Sequence, residues 1–98
     1  MDATASTAST HPSSATLEST LAGSFPNSAL LKAVDVTDGN CVGGKYQLVV
    51  VWDGFDHVGL VDRHRMVNKA LTPHMESIHA VQMKTYTVAE AKAKGVLS

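Results

Sequence analysis

The 98-residue chain is 44% hydrophobic and 17% charged, with a net charge of −1, one cysteine and five histidines. A chain of this size supports one soluble domain with a modest core, and a single cysteine excludes an internal disulfide framework. Eight basic against nine acidic residues exclude an overall electrostatic bias toward nucleic acid, and no apolar run approaches the ~20 residues of a membrane helix.

Residues 1–13 are mostly Ala, Ser and Thr and are expected to form a disordered tail, leaving 14–98 as the domain. No basic residue precedes Lys32, so the N-terminus resembles neither a secretory signal nor an Arg-rich presequence, and cytosol or nucleus is the expected compartment. Ser13 or Ser14 is suited to cap a short helix carrying Leu17 and Leu21, with Gly23 as its stop. Residues 33–37 alternate Val34 and Val36 against Asp35 and Thr37, which predicts a half-buried strand. A glycine-rich turn, 38–44 (DGNCVGG), leads into KYQLVVVW (45–52), the predicted central strand.

Beyond the Asp53-Gly54 loop the period changes. Leu60, His64, Val67 and Leu71 fall on one helical stripe, while Arg63, Arg65, Asn68 and Lys69 point elsewhere. Thr72-Pro73 predicts a second short helix, with Thr as cap and Pro at its first position. Residues 79–86 read as a strand and 88–94 as a last helix stopped by Gly95. The predicted order is α-β-β-α-α-β-α, a single small α/β (α+β) domain with a three-stranded mixed sheet and helices on one face.

This topology constrains chemistry. The helical segment 61–77 is long enough to be a crossover, so the strand at 79–86 should run parallel to that at 45–52. Parallel neighbours start at one edge of the sheet, which brings the Cys41 loop and His79 to a common rim. A thiolate and an imidazole suit zinc, copper or an iron–sulfur cluster, but two ligands do not complete a site, and the rest must come from a partner. Against this, a lone cysteine is more often an inert small residue.

His64, on the apolar stripe, reads as structural scaffold, and His57 and His74 as solvated. Arg63, Arg65 and Lys69 give the helix a basic side, either a solvated face or a contact for an acidic partner or phosphate. No nucleophile–base–acid set is present, so no enzyme is expected. Cys41-Val42-Gly43-Gly44 lacks the first glycine of a GXXG phosphate clamp and lies in a hairpin rather than between helices.

Phe55 stands eight residues before Arg63-His64-Arg65, which continues as Met66-Val67-Asn68; Ile78-His79-Ala80 and Lys84-Thr85-Tyr86-Thr87 follow. This combination resembles the BolA family over roughly residues 15–95. The resemblance implies a class-II-KH-like fold and a non-enzymatic adaptor that binds a monothiol glutaredoxin with the CGFS motif. It further implies a 2Fe-2S cluster shared in the complex, with the glutaredoxin cysteine and glutathione as two ligands, His79 as the third and Cys41 as the loop ligand. The protein alone is expected to be a monomer or weak homodimer. The alternative implied is a KH-like, nucleic-acid-binding transcriptional regulator. The chain departs from the family at His57, where Gly is common.

Overall fold

A computed structural model describes residues 12–37 and 44–97. Helix α1 (Ser14–Ser24) starts where the Ser13 hydroxyl accepts from the Thr16 N–H at 3.1 Å. It does not stop at Gly23. The Phe25 N–H returns to the Leu21 carbonyl, and Phe25 lodges between Trp52 and Phe55, with ring centroids 5.0 and 5.5 Å away. Pro12 is also part of the domain, since its carbonyl accepts from the buried Tyr46 hydroxyl. The expected tail therefore ends earlier than residue 13; the rest of it, 1–11, lies outside the described residues.

Strands β1 (Leu30–Asp35) and β2 (Gly44–Val51) are antiparallel, and β3 (Ile78–Tyr86) lies on the far side of β2 and parallel to it, giving the order β1-β2-β3. The mixed sheet and its parallel crossover agree with the sequence. β1 begins three residues earlier than the alternation suggested, because Leu30 pairs with Val51. Between β2 and β3 run a 3₁₀ turn (Asp53–Phe55), helix α2 (Leu60–Ala70) and a second 3₁₀ turn (Thr72–Ser77) where a short α-helix was expected. Helix α3 (Val88–Ala93) closes the chain, and Gly95, at φ 77, turns it off as predicted.

The helices cover one face of the sheet. Leu17, Leu21 and Phe25 of the α1 segment, Tyr46, Leu48 and Val50 of β2, and Val67 and Leu71 from the α2 segment are all buried there with Phe55. Gln47, Gln82, Lys84 and Lys32 alternate with these core positions and are exposed. The inward stripe of α2 differs from the predicted one. Leu60 is 60% exposed and His64 only partly buried, whereas Arg63 turns into the protein beside Val67. Among the described residues no helix is long and apolar enough to cross a membrane.

Candidate functional site

The rim where β2 and β3 start is set by one buried side chain. Tyr46 packs into the core and donates its hydroxyl to Pro12, so its ring lies over the beginning of β2. A Cβ on Gly44 would collide with that ring, which is why the strand begins on glycine. Burial, and the Asp35 carboxylate secondarily, push the Tyr46 phenol up to about 12. Close packing against Tyr46 is thus the role of Gly44. Thr37 secures the other stem of the hairpin, its hydroxyl accepting the Lys45 N–H at 2.9 Å.

Opposite Gly44 stands Ile78, but Lys45 pairs with Ala80. His79 is therefore the extra residue of a bulge, the kind of irregularity that re-aims a side chain at the edge of a sheet. It is exposed, and its imidazole has no hydrogen-bond or ionic partner among the described residues. Cys41 lies outside the described residues; Gly44, three positions later, is the first described residue after it. Among the described residues no group of three or more His, Cys, Asp and Glu side chains is arranged to hold a metal.

The opposite end of β3 is a closed network. Arg63 donates its Nε to the Val58 carbonyl at 2.8 Å and Nη1 to the Thr85 carbonyl at 3.2 Å. Its Nη1 and Nη2 reach the Glu90 carboxylate oxygens at 2.6 and 3.2 Å, a bidentate pair. Its carbon lies 5.7 Å from the centre of the Phe55 ring. Glu90 also accepts the Thr87 N–H at 2.9 Å, while the Thr87 hydroxyl accepts the Glu90 N–H at 3.1 Å, forming the capping box of α3. The Arg63 hydrogen bonds, then that from Thr87, hold the Glu90 carboxyl at about 2 instead of 4.5.

The three basic residues assigned to one side of α2 are thus separated. Arg63, read as pointing away from the core, is buried with its donors committed inside the protein. Arg65 is exposed, with only a loose 3.5 Å approach to Asp62. Lys69 is exposed at a shallow, mainly apolar cleft with Phe25, Met66 and Pro73. His64 is partly buried, and its Nε2 has no hydrogen-bond partner among the described residues. His74, expected to be solvated, has Nε2 2.9 Å from the Thr20 hydroxyl and ties the turn to α1. Sequence reasoning missed the Arg63–Glu90 pair, although Thr87-Val88-Ala89-Glu90 carries the spacing of a capping box.

Known proteins share this architecture. The profile of the family described as "BolA-like protein" matches residues 27–90. Protein BOLA2 of Arabidopsis thaliana is 41% identical over 54 residues, which make up 55% of this chain and 56% of that protein. The chain thus spans little more than half the length of this curated relative. A Bol-like protein from Babesia bovis superposes with a TM-score of 0.77 at 33% identity, covering 86% of this chain and 94% of that one. Yeast Fra2 gives a TM-score of 0.64 at 28% identity, covering 81% and 83%.

Proposed function

The chain belongs to the BolA-like family, and we propose that it is a non-enzymatic adaptor which binds a monothiol glutaredoxin and co-ligates a 2Fe-2S cluster with it and glutathione. Proteins of this family are generally non-enzymatic regulators or adaptors. The observation that carries the finer reading is His79: an exposed imidazole without a partner among the described residues, on a bulge at the rim where the segment containing Cys41 joins β2.

The donor chemistry fits such a group. A neutral imidazole is a borderline ligand that accepts iron, and Cys41, three residues before β2 in the sequence, carries a thiol. Without a third ligand beside His79 among the described residues, coordination has to be completed from outside the chain. When bound, the cluster supplies one-electron chemistry and iron and sulfide for transfer. His79, standing where a thiolate would otherwise be, makes the shared site less negative and raises its reduction potential. Arg65 and Lys69, exposed on α2, serve in this reading as contacts for acidic groups of the glutaredoxin.

Reconstitution of this protein with a monothiol glutaredoxin, iron, sulfide and glutathione tests the reading. His79→Ala should change the visible circular dichroism of the mixed complex, and an unchanged spectrum sinks the ligand assignment. Cys41→Ser should perturb the same spectrum more mildly or shorten the life of the cluster.

A further inference from the structure

The helices cover one face of the sheet, and the middle of the other face is bare. Strand pairing sets its outward side chains in rows: Lys32, Val49 and Lys84; Val34, Gln47 and Gln82; Val36, Lys45 and Ala80. Lys32, Gln47, Gln82 and Lys84 are exposed, as are Val34 at 39% and Val36 at 42%, and Val49 is half-buried. The bare area stops at the next row, where Val51 is buried. Parallel strands ordinarily have both faces covered, and β2 and β3 leave this one open. None of the positions in these rows carries a carboxylate, although the chain as a whole has a net charge of −1. Lys32 and Lys84 have no ionic partner among the described residues.

We infer that this face docks a helix of another protein, lying along β2 with acidic side chains on both of its flanks. Lys32 and Lys84 stand one strand to either side of Val49, roughly 10 Å apart, which is about the diameter of an α-helix. From Val49 to Lys45 the open length is about 13 Å, or about nine residues of helix. A helix seated over Val49 and Gln47 therefore has a lysine against each flank, and a carboxylate there meets an uncommitted ammonium group. Small apolar side chains on its underside meet Val34, Val49 and the hollow that Gln47, Gln82 and Lys84 line between β2 and β3. An extended peptide fits this face poorly. The backbone groups of β2 are spent in two ladders and offer it no partners, whereas a helix satisfies its own. Nucleic acid fits poorly too, since the rows hold no aromatic ring on which bases could stack. The docking involves neither His79 nor Cys41, so it goes beyond the cluster reading and does not depend on it.

The probe is a stapled helical peptide of about 16 residues, with an alanine and leucine stripe flanked on both sides by glutamates. It is titrated to about 1 mM into the full chain, without iron or glutathione, and followed by amide chemical shifts. Shifts should move at Val34, Gln47, Val49 and Gln82 and stay fixed at Leu17, Leu21 and Val67 beneath the helices. Lys32→Glu and Lys84→Glu should each weaken binding roughly threefold, and the double variant at least tenfold. Both lysines are exposed, so urea denaturation of the variants should match the parent. Raising sodium chloride from about 50 to about 500 mM should weaken binding of the parent as well. A peptide that moves no shifts, or moves them only elsewhere, overturns the proposal. So does a lysine-flanked peptide that binds equally well, a double variant that binds like the parent, or a single-stranded oligonucleotide that takes this face more tightly than the acidic helix.

Discussion

At the Thr85 end of β3, Arg63, Glu90 and Thr87 join α2, β3 and the cap of α3, with each guanidinium nitrogen donating to an acceptor. At the other end a bulge projects His79 into solvent, with nothing among the described residues to receive it. Both ends belong to the same strand and the same parallel pair. The contrast teaches where binding capacity resides: at one rim a guanidinium and a carboxylate are matched within the chain, even though the buried Thr85 hydroxyl has no partner among the described residues, and at the other an imidazole is left open to solvent.

The largest effect expected from breaking this contrast comes at the closed end. Arg63→Ala removes the packing under Phe55 and strips the Val58 and Thr85 carbonyls of their donor. A loss of about 3 kcal/mol in urea-denaturation stability is expected. His79→Ala, by comparison, should change stability by no more than about 0.5 kcal/mol. Equal losses for the two variants would erase the distinction between the ends. Gly44→Ala comes next. Its new methyl group meets the Tyr46 ring, and the crowding should cost about 1–3 kcal/mol. If the variant is as stable as the parent, the rim is looser than the packing of Tyr46 implies.

Acid titrates the closed end selectively. Glu90 in the folded protein has a carboxyl pKa of about 2, against 4.5 ordinarily. The unfolded chain therefore binds this proton more readily, and stability must fall as pH drops. The contribution is complete above about 4.5, shrinks through that window and is gone near 2. Glu90→Gln lacks this proton linkage, so its stability curve should be flatter between those values. Parallel curves for the two proteins would show that the Arg63–Glu90 pair does not govern acid unfolding.

Much of the open end was legible in the sequence, because the rim follows from topology alone. A strand pattern at 45–52, a crossover-length helical stretch and a strand pattern at 79–86 are enough to place two strand starts side by side, and β2 and β3 pair that way. The closed end was not. An arginine beside an apolar helical stripe reads as solvated, and what buries Arg63 is a carboxylate 27 residues away and a strand carbonyl 22 away. The His74–Thr20 contact spans 54 residues and is equally invisible to local pattern. The start of β1 was missed for a local reason: Leu30-Leu31-Lys32 shows no alternation, and pairing with Val51 determines the strand there.

A small gain in stability is expected at His57, where the chain departs from the glycine common in the family. His57 adopts φ 65, the left-handed region that an L-residue enters at a cost of about 1–2 kcal/mol. Little offsets that cost: the side chain is almost fully exposed, and its 3.4 Å approach to an exposed Asp56 carboxylate is the weak kind of surface pair. His57→Gly removes the strain but adds roughly 0.5–1 kcal/mol of unfolded-chain entropy. The net gain should be a few tenths to about 1 kcal/mol in urea-denaturation stability. Because Asp53 and Asp56 line a hollow with Thr87, the strained residue adjoins the closed end. The gain should accordingly leave the visible spectrum of the reconstituted mixed complex unchanged. A spectral change on His57→Gly would show that the two ends communicate, and the contrast between them would have to be redrawn as a coupling.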